Sequence, residues 1–244
     1  MTALPTRRDE TWRYSDLEAV AAVWPVATHA HVVAPGETLA LPILIDAAAD
    51  AVIVEDHEIE IGAGATATVH VAITGGRLGR VFVKARLAEG AHLELTGAIV
   101  GGDARTHEIV TRVTHAEPNA TSAQTVRAVL GGKAVGSYLG KVAVARGAQK
   151  TDATQSAKAM LLDRTATANL KPELEIFADD VKCAHGATVG ELDREAMFYL
   201  AARGLPPAEA KTLLLRAFVG GLFEGSADAA RFDAAIDAAL EKML

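Results

Sequence analysis

Between about residues 30 and 165, apolar and polar side chains alternate with a period of two. The alternation is plain in Ala67-Thr68-Val69-His70-Val71-Ala72-Ile73, in Val81-Phe82-Val83-Lys84-Ala85-Arg86-Leu87 and in His92-Leu93-Glu94-Leu95-Thr96-Gly97-Ala98-Ile99. Successive side chains of a strand point to opposite faces, so this pattern predicts strands that bury one face. Thr, Val and Gly are frequent here and helix caps are missing, so helical templates fit the region badly.

Turns interrupt the strands at near-regular spacing. They read Pro35-Gly36-Glu37, Ala63-Gly64-Ala65, Glu89-Gly90-Ala91, Pro118-Asn119-Ala120 and Arg146-Gly147-Ala148, with markers about 26 to 29 residues apart. Gly and Asn tolerate the positive φ of a tight corner, and a period of this length is typical of solenoids. Each marker leads into a stretch ending on apolar residues: Ile43 to Ile45, Val69 to Ile73, Leu95 to Val100, Val126 to Leu130 and Met160 to Leu162. One such coil cannot bury its own apolar face, but stacked coils can. The prediction is a mainly β fold: a right-handed parallel β-helix of about five coils, with its core at 30–190. A β-sandwich is the competing architecture. With aromatic residues at only 5% of the chain, the large side chains of a sandwich core are scarce.

After residue 190 the period changes. Asp193 is placed as an N-cap ahead of Arg194 to Arg203, and Gly204 stands where a C′ glycine belongs. Pro206-Pro207 open a second helix through Leu213, Leu214, Leu215, Phe218 and Leu222, since proline suits a first turn. Phe232, Ile236, Ala239, Leu240 and Met243 form the apolar stripe of a third. The segment 191–244 is therefore expected to be helical, with apolar surface left over for a partner. At the other end, 1–29 reads as a segment that packs over one end of the core through Trp12, Tyr14 and Trp24.

Charge and cysteine content narrow the function classes. Acidic residues outnumber basic ones 31 to 24, and no Lys/Arg cluster resembles an electrostatic footprint for nucleic acid or an anionic membrane. Met1 to Asp9 lack the apolar run of a secretory signal, and no apolar stretch approaches a membrane span. With one cysteine, Cys183, no internal disulfide can form, and a cytoplasmic location is expected.

Catalytic motifs are scarce. No P-loop, dinucleotide-binding glycine fingerprint, zinc-protease helix or nucleophile elbow occurs, and Gly131-Gly132-Lys133 reads as a strand-connecting turn. His29 and His31 share a strand face as a candidate metal pair, but without a third ligand nearby an exposed edge is the plainer reading. The histidines at 57, 70, 92, 107 and 115 fall among the strands, where stacking could bring some together. Cys183-Ala184-His185-Gly186 differs from these. The thiol and imidazole can project to one side of an extended segment, both suit iron and zinc, and Gly186 frees the backbone to turn.

That pair sits inside Lys171-Pro172-Glu173-Leu174-Glu175-Ile176-Phe177-Ala178-Asp179-Asp180-Val181-Lys182-Cys183-Ala184-His185-Gly186-Ala187-Thr188-Val189-Gly190, which resembles the signature of the SufD family of iron–sulfur cluster assembly scaffolds. The likeness continues through Leu192-Asp193, Met197 to Leu200 and Arg203-Gly204, and Trp12-Arg13-Tyr14-Ser15-Asp16-Leu17 resembles the segment that precedes the family core. The resemblance implies a non-catalytic scaffold subunit of the SUF system. It would pair with a SufB-like paralogue and bind a SufC-like ABC-type ATPase through its C-terminal helices, with Arg203, Gly204, Leu205 and Pro206 at the docking turn. It implies that His185 and Cys183 lie at the interface where nascent clusters form, as candidate metal ligands. Sulfur would come from a cysteine desulfurase system, and a homodimer is a further association open to the isolated chain. Family members carry a longer helical region ahead of the Trp-Arg-Tyr segment, so contacts that depend on it are not expected of these residues.

Iron–sulfur clusters are held by about four protein ligands, mostly thiolates. One thiol cannot supply them, so no stably bound cofactor is expected on this chain alone, and a nascent cluster would be shared with the SufB-like partner. Two alternatives remain. One is a self-sufficient SufB-like homodimeric scaffold, against which the cysteine count argues. The other is a β-helix carbohydrate-active enzyme, whose candidate acids Asp103, Glu108, Asp152 and Asp163 show no pairing by spacing.

Overall fold

The computed structural model describes residues 3–243; Met1, Thr2 and Leu244, the outermost residues of the predicted terminal segments, lie outside the described residues. Twelve strands are described, and they alternate between two sheets. The odd sheet holds β1 (Thr28–Val33), β3 (Val52–Ile61), β5 (Leu78–Leu87), β7 (Thr106–His115), β9 (Val135–Val144) and β11 (Thr167–Ile176). The even sheet holds β2 (Thr38–Ile45), β4 (Thr66–Ile73), β6 (His92–Gly101), β8 (Thr121–Leu130), β10 (Asp152–Leu161) and β12 (Lys182–Glu191). Every pairing is parallel and joins a strand to the one two places on. Two parallel sheets built in this way form a β-solenoid of about six turns.

The corner chemistry was legible for four coils. Gly36, Gly64, Gly90 and Asn119 all have positive φ, as their turns require. At the fifth corner Gly147 does lie in a turn, closed by Ala148 N–H on the Ala145 carbonyl, but the positive φ falls on Lys150 (φ 64°). The sixth turn, Phe177 to Val181, carries Asp179-Asp180 in place of a Gly or Asn marker. A coil without a marker escaped the repeat, so the five coils expected from sequence become six, and strands continue to Glu191. Gly131-Gly132-Lys133 does lie in a strand-connecting turn, with Gly132 at φ 59°.

Because strands stack about 4.8 Å apart, in-register residues form rows along the axis. Val69, Leu95, Val126, Ile109 and Val142 fill the interior with branched side chains. One interior row departs from this chemistry: Val69, Leu95, Gln124, Gln155 and His185 are successive register partners.

The N-terminal segment does not cover an end of the core, as its composition suggested. It lies along the outer face of the odd sheet, where a short helix α1 (Leu17–Ala21) packs Ala19 and Val20 on Leu78 beside Trp12, Trp24, Val52 and Val54. Tyr14 covers Phe82, Val110 and Leu139. These outward positions are apolar, which leaves the segment a face to dry.

The outer face of the even sheet is covered from the other terminus. Helices α3 (Pro207–Val219) and α4 (Ala229–Glu241) pack Leu215, Phe232, Ile236 and Leu240, with Phe223 from the intervening loop, onto Ala72, Ala98, Val100 and Val129. The small sheet residues let the Phe223 and Phe232 rings stack with centroids 4.4 Å apart. Truncating either ring would cost about 3–5 kcal/mol. Helix α2 (Arg194–Ala202) is capped as predicted, the Asp193 carboxylate accepting from the Glu195 and Ala196 N–H groups. None of its residues is buried.

Candidate functional site

The last coil is open on one side. Strand β12 pairs with β10 alone and β11 with β9 alone, so each leaves one edge without a strand. The inward positions of this coil are apolar on β11, where Ala168, Leu170 and Leu174 pack on the core. On β12 they are Cys183, His185, Ala187 and Val189, register partners of Ala153, Gln155, Ala157 and Ala159. Cys183 and His185 are two residues apart on one strand and therefore share that inward face.

Their environments differ. Cys183 is half-buried against the core, and its thiol is pushed above the ordinary range. Burial is the main cause and the Asp152 charge adds to it, while a backbone hydrogen bond from Ala153 opposes. His185 is exposed at the rim. Gly186 does not turn the backbone, since it lies within β12. A Cβ placed there meets nothing within 4 Å, so the outward face of β12 is open at this residue.

Sequence missed what lies beneath. Gln155 is 3% exposed, and among the described residues neither of its amide atoms has a hydrogen-bond partner, nor does Gln124 Nε2. Gln124 Oε1 accepts from Thr111 Oγ1 at 2.7 Å and from the Tyr138 hydroxyl at 3.2 Å. Burial pushes the Tyr138 phenol upward, so it stays a donor. The signal was present, because Ala153, Ala157 and Ala159 mark the inward phase of β10 and Gln155 is a long amide in that phase.

The candidate pair His29 and His31 gains a third ring. His57 stacks on both, with centroids 5.0 Å and 5.5 Å away. His31 Nε2 lies 3.2 Å from His57 Nδ1, and His57 Nε2 lies 3.0 Å from Glu55 Oε2. Among the described residues no group of three or more His, Cys, Asp or Glu side chains is arranged to hold a metal ion. Both His57 nitrogens are engaged, one by His31 and the other by Glu55.

The four acids considered for carbohydrate chemistry are dispersed. Glu108 is buried outside the odd sheet against Arg80, Asp152 begins β10, and Asp103 and Asp163 sit in separate turns. Arg203 to Pro206 form the turn between α2 and α3, with Gly204 at φ 90° and the Arg203 guanidinium 4.8 Å from the Tyr199 ring centroid. On the two helices that the turn joins, Phe198, Tyr199 and Leu213 are 76, 56 and 49% exposed.

Residues 26–218 match the family described as SUF system FeS cluster assembly, SufBD core domain. The chain belongs to the SufBD family. It is 31% identical over 173 residues to the iron-sulfur cluster assembly protein SufD of Escherichia coli, covering 70% of this chain and 41% of that protein. It is 36% identical over 155 residues to the chloroplastic protein ABCI7 of Arabidopsis thaliana, covering 62% and 32%. An iron-sulfur cluster assembly SufBD family protein of Synechocystis is 39% identical over 107 residues, covering 44% and 24%. The chain thus spans less than half the length of these relatives. Among the described residues no helix is long and apolar enough to cross a membrane.

Proposed function

We propose that this SufBD family chain is a cytoplasmic, non-catalytic scaffold subunit for iron–sulfur cluster assembly, and that its open sixth coil is the face that meets a SufB-like paralogue. The observation that carries this reading is the placement of Cys183 and His185 together on the inward face of β12, at the end of a solenoid with no coil stacked on it. An unpaired ten-residue edge strand offers a row of backbone donors and acceptors to another chain. One thiol and one imidazole are too few to hold a cluster, so the remaining groups come from the partner and the cluster is cargo shared between them.

The α2–α3 surface supports the second association. Phe198, Tyr199 and Leu213 present apolar area beside the Arg203–Pro206 turn, and α3 continues into the packing on the even sheet. A SufC-like ABC-type ATPase docked there would transmit its motion through α3 and α4 to the solenoid. Sulfur would arrive from a desulfurase through the partner subunits.

Co-expression with a SufB-like chain and an ABC-type ATPase tests the reading. A complex of all three should purify together, and His185→Ala should leave it intact while reducing cluster formation. A chain that binds neither protein removes the proposal, and loss of the complex in His185→Ala makes the residue structural.

A further inference from the structure

The interior row beneath His185 has a chemistry that the scaffold reading does not require. Leaving a buried amide unpaired is costly, and native interiors rarely do so. Yet Gln124 Nε2, Gln155 Oε1 and Gln155 Nε2 are all buried and without partners, on two side chains that are register neighbours. The direction of the row is set at its lower end. Gln124 Oε1 already accepts from Thr111 and Tyr138, so its NH2 group is the end left to point up the axis.

One arrangement satisfies all three atoms. In it Gln124 would donate to Gln155 Oε1, as stacked glutamines do along a solenoid or fibril, and Gln155 would then have an NH2 group to offer to the next coil. The inward side chains of that coil are hydrocarbon on β11 apart from its backbone, and on β12 only Cys183 and His185 carry a hydrogen-bonding atom. His185 is the in-register neighbour, one strand away. The opposite wall is cut back to make room for the amide. A Cβ on Gly140 would lie 2.9 Å from Gln155 Nε2.

We propose that Gln155 is a positioning residue for His185: the ladder Gln124–Gln155 ends in an N–H donated to the imidazole, which fixes the ring's orientation and tautomer. The nitrogen facing the core is then the acceptor, and the proton sits on the nitrogen that looks out of the mouth. His185 therefore first meets what assembles there as a hydrogen-bond donor, suited to sulfide or persulfide sulfur. This inference rests on the reading of the sixth coil as the cluster-forming face only for its consequence, since the ladder itself is a property of the lone chain.

The test is made on the full chain with 15N-labelled histidine, the His185 ring being assigned by its loss in His185→Ala. At a pH where the ring is neutral, wild-type His185 should be skewed to one tautomer relative to a free histidine peptide. Gln155→Met keeps the length and removes both polar atoms. It should reduce the skew by about threefold to tenfold, the worth of one net hydrogen bond, and lower the melting temperature somewhat, because the Gln124 NH2 group loses its acceptor. Gln155→Glu replaces the donor by an acceptor and should invert the preferred tautomer, which keeps the test decisive should the methionine variant not fold. A wild-type ring without skew, or a skew unchanged in both variants, overturns the proposal. So does a melting temperature that falls in Gln155→Met with the His185 signals unmoved, because the amide is then structural. Cluster formation in the assembled complex is read separately. A ladder present in a chain that builds no cluster removes the functional reading and leaves the positioning role standing.

Discussion

Arg80 and Glu108 are register neighbours on the outer face of the odd sheet, ion-paired and shut away from water by the N-terminal segment. Ser15 Oγ donates to Glu108 at 2.6 Å, Arg80 donates to the Thr11 carbonyl at 2.6 Å, and the Trp12 ring lies 3.9 Å from the guanidinium carbon. Two charges buried under a strap are costly unless each satisfies the other. Glu108→Leu, which strands the guanidinium, should lower stability by about 3–5 kcal/mol. Adding Arg80→Met should recover much of that loss, because an apolar pair has no charge to desolvate. Urea denaturation of the wild type, the two singles and the double closes the cycle. Additive losses would show that the pair is not coupled.

Acid should loosen the solenoid through two interior histidines. His107 and His115 are fully buried, and burial lowers each ring from the ordinary 6.5 to about 4. Carbonyl contacts at Gly76, Val100 and Gly75 oppose the shift for His107 and Arg105 adds to it, while Ala120 opposes it for His115. The unfolded chain then binds more protons than the folded one between those values. Stability is complete above pH 6.5 and falls as the pH drops toward 4, by up to about 3 kcal/mol per ring. Denaturation midpoints measured from pH 7.5 to 4.5 should show this slope, and His115→Leu should flatten it. A profile that His115→Leu leaves unchanged rules out His115 as a source.

Two glycines in the last two coils should respond in opposite ways. At Gly140 an added Cβ would lie 2.2 Å from the Tyr138 hydroxyl oxygen, so Gly140→Ala should cost about 1–3 kcal/mol as overpacking. At Gly186 the same atom meets nothing, and Gly186→Ala should leave the lone chain as stable as wild type or slightly more so. If the β12 edge is an interface, the second variant should weaken association with the paralogue. Thermal melts and co-purification read the two effects, and a destabilised Gly186→Ala chain would contradict the open edge.

How far the sequence anticipated this arrangement depends on which interactions are local. The strands, the first four corners and the Asp193 cap follow from side-chain period and from φ at single residues, and Gly36, Gly64, Gly90 and Asn119 announce themselves. The sixth coil was hidden because Asp179-Asp180 turns without a glycine. The position of the N-terminal strap was hidden too, since Ser15 and Glu108 are 93 residues apart and nothing in their local sequence relates them. Cys183 and His185 were legible as a pair through their spacing and their family-like surroundings. Gln155 shares the phase of Ala153, Ala157 and Ala159 and could have been read, but an amide in an alternating run passes for an ordinary polar residue until the register fixes which phase is inward.

Cys183 should react slowly. Its thiol is raised by burial and by the charge of Asp152, and the thiolate is the nucleophile. Alkylation by iodoacetamide should have a pH profile displaced upward from that of a free cysteine peptide, and Asp152→Asn should bring it part of the way back. A rate matching the free peptide would remove the half-buried placement of the sulfur.

The open sixth coil bears on when the chain is ready to act. In a solenoid each repeat is held by its neighbours, and this coil has a neighbour on one side only. Its amides, like those of the first coil, should be among the earliest of the strands to exchange with solvent in the solitary chain, and those of β12 among the slowest once a partner is stacked on it. Cys183 and His185 thus stand on a stretch of backbone held from one side only. If a partner does stack there, competence is tied to company: a stray subunit would present Cys183 and His185 on a fraying rung, and an assembled one on a fixed rung.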